Sequence, residues 1–425
     1  MTTNSPLPDI PFIGRENELD QLHSALEKML KGRLQIAFVS GEAGTGKTAL
    51  IEEFARFAER IYPDLVVAKG VGQGQSGITA PFLIWSEIAT ALTGNPSDPT
   101  HMAHDSEPRR RKLTHLYRLA SGAIKEFAPM VAALMIGDPG IGIAFSAAKV
   151  GWDWFKADEK IEKRIEHKTG QASLPSEGDE RNLFRDYSLW LRKISEKVPL
   201  LIFLDDLHWA DHASLSLLFH VVRQAQSSKI IIVGTYRPSE LRLGQAHELH
   251  PLEAKLYEFE RYQGAIQIRL DDVVQAHGRT FANEVLDSIP SKLSATFKEA
   301  FFLKTEGHPL FVVELLRHMV VNGLLTRDAK GYWVESTNPD WQSLPQEVEG
   351  LAKLRVEKLE RELRRILASA SVQGIEFHPE ILSRVEQQEE RQLIDRLDND
   401  LSKRYQLVTA AADRKCLGTT GLGLE

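Results

Sequence analysis

The stretch Gly41-Glu42-Ala43-Gly44-Thr45-Gly46-Lys47-Thr48 decides the fold of this chain. It fits the pattern G-x-x-x-x-G-K-T, in which glycines let the backbone close a ring of N–H donors around phosphate oxygens. An apolar run at residues 34–40 precedes it and predicts a buried strand, and an amphipathic run at residues 49–58 follows it and predicts a helix. Strand, loop and helix in this order are the context that a phosphate-binding loop requires.

The residue types of this loop predict how it contacts a nucleotide. The start of the following helix adds the positive end of its dipole to the loop amides. Lys47 would supply a point charge to the β- and γ-phosphates, and Thr48 a hydroxyl to Mg²⁺. We therefore predict a site for ATP or ADP with Mg²⁺ that is formed by Gly41, Glu42, Ala43, Gly44, Thr45, Gly46, Lys47, Thr48 and Ala49.

Composition places the chain among ordinary globular proteins. Of its 425 residues, 42% are hydrophobic and 26% are charged, and such a length predicts about two to three domains. The net charge of -7 gives no basic field that would attract nucleic acid. The single cysteine, Cys416, cannot form a disulfide within the chain, and the first residues lack the features of a signal peptide. Both observations favour a cytoplasmic location.

One apolar stretch, at residues 129–155, resembles part of a membrane span. Asp138 and Pro139 divide it, and neither half reaches the roughly 18 to 20 apolar residues that a span needs. A buried or surface-docked helical hairpin is the interpretation we favour, and contact with a membrane is the alternative. We expect no stable membrane anchoring.

The rest of the chain alternates between strand and helix patterns up to Asp271. Four further strands are predicted at residues 65–70, 200–204, 229–235 and 266–270. This alternation predicts an α/β fold with a doubly wound parallel sheet. Later residues are mostly helical in pattern, with a short hairpin strand near residues 330–334 and an edge strand near 404–408. Residues 411–425 have no packing pattern and are predicted to be disordered.

Two acidic residues and one arginine follow predicted strands. Asp205 and Asp206 come at the carboxyl end of a strand, where such sheets bind ligands. Asp205 would hold Mg²⁺, directly or through water, and Asp206 would orient or deprotonate the attacking water. Arg237 ends the next strand and would lie beside the γ-phosphate if the two strands are adjacent. The alternative for Arg237 is a surface residue before a proline turn. Lys47, Asp206 and Arg237 are the predicted catalytic residues.

The residues after the acidic pair allow two interpretations. In the first, His208 and Trp209 pack at the strand exit and Asp211 caps the helix that begins near Ala213. In the second, His208 senses the state of the phosphate.

Five motifs occur in a fixed order along the chain. They are Phe12-Ile13-Gly14-Arg15-Glu16-Asn17-Glu18-Leu19, the loop, Leu204-Asp205-Asp206-Leu207-His208-Trp209-Ala210-Asp211, Thr235-Tyr236-Arg237-Pro238 and Thr305-Glu306-Gly307-His308-Pro309-Leu310-Phe311. Together they resemble the nucleotide-binding region of STAND-type signalling ATPases. The resemblance is to the branch with an AAA-type ATPase domain that is found in LuxR-type regulators and cyclase-linked proteins.

This resemblance implies further site residues and domain limits. Ile13, Gly14 and Arg15 would line the adenine side, and Pro309 would pack on the base from a helical lid. Without the resemblance, residues 307–309 would be interpreted as a plain turn. The predicted domains are a P-loop nucleotide-binding domain at 1–270 with an insertion at about 94–178, a helical lid at 271–325, a winged-helix-like domain at 326–410 and a disordered tail at 411–425.

The resemblance also implies a function. It predicts a slowly hydrolysing ATPase that works as a conformational switch in signal transduction or transcription regulation, with protein partners or self-association in the ATP state. One alternative is an origin-recognition-like AAA-type ATPase acting on DNA, which the acidic net charge disfavours. Another is a nucleotide-locked scaffold without turnover. No Asn-Lys-x-Asp run is present to read guanine, which favours ATP over GTP. We expect the chain to lack the C-terminal repeats that such proteins usually carry.

Overall fold

The structure of the chain is a computed structural model. It describes residues 10–72, 82–93, 177–242, 250–336, 341, 344, 356, 359–373, 376–404, 407–416 and 419–424. The apolar stretch at residues 129–155 lies outside the described residues. Two compact units make up the chain. The P-loop unit comprises residues 12–96 and 111–277, and the C-terminal unit comprises residues 1–11, 97–110 and 278–425.

A five-stranded sheet forms the centre of the P-loop unit. Its strands are β1 (Gln35–Ser40), β2 (Val66–Val71), β3 (Leu200–Asp205), β4 (Ile230–Tyr236) and β5 (Ile266–Arg269). The strand order is β2-β3-β4-β1-β5, and every neighbouring pair is parallel. The bounds of each strand lie within one residue of the predicted run, so the prediction of a parallel α/β sheet is confirmed.

Helices cover both faces of this sheet. They are α1 (Glu16–Leu30), α2 (Lys47–Ile61), α3 (Leu83–Thr93), α4 (Glu177–Ser195), α5 (His212–Gln224), α6 (Pro238–Arg242), α7 (Pro251–Gln263) and α8 (Leu270–Ser288). Successive strand residues face opposite sides. Phe38 therefore packs in one buried cluster with Trp85, and Val39 packs in the other with Phe54. Packing in these two apolar layers holds β1 in the sheet, and the loop begins at the carboxyl end of this strand.

The C-terminal unit begins inside α8, after His277. It continues with α9 (Ala295–Thr305), α10 (Pro309–Val321), β6 (Leu325–Arg327) and β7 (Trp333–Glu335). Strands β6 and β7 pair antiparallel, which confirms the predicted short hairpin strand. Gly307 has a φ of 72°, and a Cβ there would lie 2.2 Å from the carbonyl oxygen of Gly278. Only glycine fits at this crossing.

A three-stranded sheet follows in the same unit. Its elements are α11 (Arg361–Ser371), β8 (Glu376–Phe377), α12 (Pro379–Glu386), α13 (Glu390–Arg396), a π-helical stretch (Leu397–Arg404), β9 (Val408–Cys416) and β10 (Thr419–Leu424). The strand order is β8-β10-β9. The helices bury their own apolar cluster, which includes Ile366, Phe377 and Leu393. Among the described residues, no helix of either unit is long and apolar enough to cross a membrane.

Residues 411–425, for which disorder is predicted, include parts of two strands in the structure. Strands β9 and β10 form an antiparallel hairpin, and β10 also pairs with β8. Leu422 lies opposite Phe377 in this pairing. The tail carries no apolar periodicity, and its order comes from backbone N–H and C=O groups that neighbouring strands satisfy. A pattern search along the sequence does not detect such pairing.

Candidate nucleotide-binding site

Residues 41–48 connect the end of β1 to the first turn of α2. Gly44 and Gly46 have φ angles of 76° and 93°, in the left-handed region that favours glycine. A Cβ on Gly41 would lie 2.5 Å from Oγ1 of Thr45, and that hydroxyl donates to the carbonyl oxygen of Glu42 at 2.9 Å. The loop therefore wraps closely on itself, and each of the three glycines has a geometric reason.

Lys47 is the first residue of α2, and only 8% of its surface is exposed. Its Nζ donates to the carbonyl oxygens of Gly41 at 2.8 Å and Glu42 at 3.0 Å. Burial and the positive charge of Arg237 lower the pKa of Lys47, and the negative charge of Asp206 opposes that shift. A buried ammonium inside a ring of backbone groups suits a phosphate ligand, which would pair its charge.

Asp205 and Asp206 stand at the end of β3 in different surroundings. Asp205 is 6% exposed. Its Oδ1 accepts a hydrogen bond from Thr235 Oγ1 at 2.6 Å, and its Oδ2 lies 3.2 Å from Lys69 Nζ. The side chain of Asp206 is 31% exposed, and its backbone φ is 51°. Burial and the charge of Asp205 raise the pKa of the Asp206 carboxyl. One carboxylate is thus held on both oxygens, and the other is accessible.

Strand β4 lies between β1 and β3 and carries two polar residues to the same edge. The hydroxyl of Thr235 bridges the acidic pair, because it donates to Asp205 and accepts the N–H of Asp206 at 2.8 Å. Arg237 follows the strand, and its positive charge helps to lower the pKa of Lys47 and opposes the rise in the pKa of Asp206. The adjacency on which its predicted position depended is therefore present. Its Nε is buried and has no hydrogen-bond partner among the described residues.

Several polar contacts of the loop were missed by sequence reasoning. The N–H of Glu42 donates to Asp271 Oδ1 at 3.0 Å. The Glu42 carboxylate accepts from the N–H of Ser239 at 3.0 Å and from its hydroxyl at 2.6 Å. Lys69 and Thr235 were also missed, although each is a polar residue within a strand that is otherwise apolar. That interruption is a usable signal, whereas Asp271 and Ser239 stand out only in three dimensions.

The residues before α1 reach the loop from another side. Gly14 and Arg15 both have left-handed backbone angles, with φ of 69° and 71°. The Arg15 guanidinium donates to the carbonyl oxygen of Thr45 at 3.2 Å, and burial lowers its pKa. Ile13 is half-buried beside them in the chain. Arg15 thus contacts the loop, and the contact of residues 13–15 with adenine stays a prediction.

Pro309 belongs to the C-terminal unit. It is the first residue of α10, where its lack of an N–H leaves no helical hydrogen bond unmade. Glu306 and Gly307 before it both have positive φ angles, of 51° and 72°. The contact of Pro309 with a base stays a prediction.

His208 follows the acidic pair in a single 3₁₀ turn, Leu207–Trp209. It is 4% exposed, neither ring nitrogen has a hydrogen-bond partner among the residues that the structure describes, and Nε2 lies 3.8 Å from Asp206 Oδ1. Burial, followed by the charges of Arg237 and Lys47, lowers the pKa of His208 to about 4. Its ring is therefore neutral near pH 7. Asp211 caps α5 as predicted, since its Oδ1 accepts the N–H of Ser214 at 2.8 Å.

The loop, the parallel sheet and the acidic strand end define a P-loop nucleoside-triphosphate-binding protein. Its residues fit Mg-ATP, because they provide a cation and loop amides for phosphates and oxygen ligands for Mg²⁺. Residues 11–233, just over half of the chain, match the family described as AAA ATPase domain. The chain belongs to this family and is an ATP-binding P-loop ATPase domain.

Other similar proteins add little detail. An uncharacterized protein of Rhizobium meliloti (strain 1021) is 23% identical over 233 residues, which cover 54% of this chain and 19% of that protein. The chain thus spans about a fifth of the length of that relative. A structure of Drosophila ORC bound to DNA has 12% identity and a TM-score of 0.40, covering all of this chain and 85% of that one. A RuvB variant of Thermotoga maritima has 13% identity and a TM-score of 0.31, with coverages of 97% and 93%.

Proposed function

We propose that this chain is a slowly hydrolysing ATPase of the STAND type that switches conformation with its nucleotide. The observation that carries this proposal is the strand order β3-β4-β1. It gathers Asp206, Arg237 and Lys47 from three neighbouring strand ends at one edge, where their charges influence one another. Such a combination of cation, carboxylate and arginine suits in-line attack by water on a terminal phosphate.

Binding would rest on the loop and the groups next to it. Lys47 and the amides of residues 44–49 would bind the phosphates, and residues 13–15 would face the adenine side. Thr48 and Asp205 would supply oxygen ligands to Mg²⁺, which neutralises phosphate charge when it is bound. Thr235 and Lys69 hold the Asp205 carboxylate in one orientation, so it would need little rearrangement.

Hydrolysis would depend on Asp206 and Arg237. Asp206 would orient the attacking water or accept its proton, and its raised pKa makes the carboxylate a stronger base. Arg237 would bind oxygens of the transferring phosphoryl group and stabilise their negative charge. ADP lacks that phosphoryl group, so the two nucleotides would interact with Arg237 differently. Only a difference of this kind can shift a conformational equilibrium.

The C-terminal unit would respond to that shift. Helices α8 to α10 would form the lid, with Pro309 on the base. The later part has the element order helix, strand, helix, helix, strand, strand and the strand order β8-β10-β9. Both orders support a winged-helix-like domain. Signal transduction or transcription regulation, partners or self-association in the ATP state, and a cytoplasmic location complete the proposal.

An activity on DNA is the second candidate, because winged-helix domains commonly bind DNA through a helix. The charge of helix α13 disfavours an activity on DNA. In α13 the two arginines, Arg391 and Arg396, are balanced by Glu390 and Asp395. A retardation assay with plain duplex DNA at several salt concentrations tests this candidate, and strong salt-dependent binding would favour it.

The test of the proposed site is calorimetric titration of Lys47→Ala with Mg-ATP. We expect affinity to fall by about 100-fold or more, because hydrogen bonds to charged groups contribute about 1.5–3 kcal/mol each. Lys28→Ala is the matched control, since Lys28 is exposed on α1. Equal affinities of wild type and Lys47→Ala would show that the site is assigned wrongly. A measured turnover number of the wild type then separates the switch from a scaffold that never hydrolyses.

A further inference from the structure

We propose that His208 is a positioning residue for ATP hydrolysis, whose neutral ring donates its Nε2–H to the Asp206 carboxylate and holds it towards the attacking water. This inference rests on the proposed function and assigns a role in it to a buried side chain. The role acts through Asp206, so His208 itself does not contact the reacting atoms.

The local geometry keeps the two side chains close together. The N–H of Trp209 donates to the carbonyl oxygen of Asp206 at 2.9 Å, which closes the turn that carries His208. His250 Nε2 lies 3.1 Å from the carbonyl oxygen of His208 and ties the turn to α7. The distance of 3.8 Å between His208 Nε2 and Asp206 Oδ1 exceeds a hydrogen bond by only about 0.6–1 Å. A small rotation of the partly exposed Asp206 carboxylate would close that gap.

The neighbouring groups leave Asp206 as the acceptor. The charged and titratable groups that act on His208 include Arg237, Lys47, His250 and Asp205. Arginine and lysine are donors only and cannot accept the Nε2–H. Both oxygens of Asp205 already have partners, Thr235 and Lys69, and His250 already contacts the backbone of His208. Of the charged acceptors among the described residues, the carboxylate of Asp206 is the one that lies within 4 Å of Nε2.

The burial of the His208 ring is the reason to expect a second state, in which the ring bonds the Asp206 carboxylate. The side chain of His208 has no exposed surface, and neither ring nitrogen has a hydrogen-bond partner within the part of the chain that the structure describes. A buried polar group without a partner is unfavourable and uncommon in native proteins. The state in which His208 bonds Asp206 removes that penalty at Nε2 and at the same time fixes the orientation of the carboxylate. Nucleotide binding, which excludes water from the site, favours this state.

Two substitutions separate positioning from packing. His208→Leu keeps most of the volume without a donor, and His208→Gln keeps an N–H donor near the position of Nε2. We expect His208→Leu to lower kcat by roughly ten- to a hundredfold, the range that a misplacement of about 1 Å produces. The dissociation constant for Mg-ATP should not change, and His208→Gln should recover kcat to within about threefold of the wild type. A pure packing role predicts no such recovery, because glutamine fits an apolar site worse than leucine does.

The matched control is His220→Leu on α5. His220 also lies partly buried, with its Nδ1 3.0 Å from Ser188 Oγ, so the same change is made away from the loop. It should hydrolyse ATP at the wild-type rate. If His208→Leu also hydrolyses at that rate, or if His208→Gln is no better than His208→Leu, the proposal is wrong.

A second readout does not depend on turnover. In ¹⁵N-labelled full-length protein, the Nε2–H signal of His208 should move downfield and exchange more slowly when ADP and beryllium fluoride are added. The signal is assigned by its loss in His208→Gln, and Asp206→Asn should reduce the change. An unchanged signal overturns the inference. If the wild type binds Mg-ATP without turnover, the proposed hydrolysis fails separately, and this signal alone decides whether the two side chains bond.

Discussion

The two sheets of this protein differ in how completely their buried polar groups are hydrogen-bonded. In the C-terminal unit, the buried carboxylate of Glu386 is bonded on both oxygens, by Arg365 at 2.7 Å and Ser369 at 2.5 Å. At the edge of the five-stranded sheet, buried nitrogens of Arg15, His208 and Arg237 have no hydrogen-bond partner among the described residues. Buried polar groups without partners are uncommon in native proteins, and each calls for a reason such as a ligand.

The two units also differ in how far their charged side chains are exposed to water. Asp205 and Lys47 are almost fully buried beside the loop, where low polarity strengthens every electrostatic interaction. The pair Glu362–Arg396 in the C-terminal unit has side chains that are 44% and 40% exposed. Such a pair is screened by water and contributes little. The difference indicates that one edge is prepared for an ionic ligand and that the other sheet depends on apolar packing.

The largest effect that tests this contrast is expected from Asp206→Asn. A positioned base contributes roughly 10² to 10⁴ to a rate, so kcat should fall by that factor while Mg-ATP affinity changes little. Single-turnover hydrolysis and calorimetric titration measure the two quantities. Asp64→Asn, an exposed change, is the control. Hydrolysis by Asp206→Asn at the wild-type rate would mean that this carboxylate is not the base. Asp205→Asn should instead raise the Mg²⁺ concentration that binding requires.

An intermediate effect is expected from Arg237→Ala, which tests whether the guanidinium, whose buried Nε has no partner in the described part of the chain, is kept for a phosphate. The wild type should give distinct proteolysis patterns with ATP and ADP near residues 240–275. In the variant the two patterns should be alike, and the affinity for ATP should fall by roughly tenfold, as expected for a lost charge-assisted hydrogen bond. ADP affinity should hardly change. Arg185→Ala, on an exposed part of α4, is the comparison. Identical wild-type patterns with both nucleotides would indicate a static binder.

The smallest effect is expected in the C-terminal unit, from Glu362→Gln. Removing an exposed pair should lower the free energy of unfolding by less than about 1 kcal/mol, and urea denaturation with and without Arg396→Gln gives the coupling between the two residues. Mg-ATP affinity should be unaffected. A coupling free energy of several kcal/mol between Glu362 and Arg396 would contradict the proposed difference between the two sheets.

Most of the P-loop unit could be predicted because its signals are local. Each strand is a short apolar run, since both faces of a parallel sheet are buried, and the loop is contiguous in sequence. The order of the strands is not local. The contact of Glu42 with Asp271 joins residues more than 200 positions apart, and nothing in either stretch of sequence indicates it. The position of Arg237 also depends on the strand order, because Arg237 lies next to the loop only if β4 lies between β1 and β3.

The strands of the C-terminal tail could not be predicted from the sequence for a related reason. Residues 408–424 contain small residues and glycines without alternation, so intrinsic preference argues against strands. Strand β10 pairs with β9 and also with β8, a strand of only two residues that is distant in sequence. The surroundings of His208 could be predicted only in part. Its burial at the strand exit was predicted, but its lack of hydrogen-bond partners among the described residues was not, because the hydrogen bonds of the ring nitrogens depend on every neighbouring element.

The position of β1 between β4 and β5 also bears on how the protein is made. After Ser40 leaves the ribosome, about 190 residues must follow before the first strand that pairs with β1 appears. At roughly 5–20 residues per second this takes about 10–40 seconds. During that time both edges of an apolar strand are unpaired and open to aggregation. The yield of folded protein in a host cell is therefore expected to depend on translation speed and chaperones more than on the stability of the finished fold.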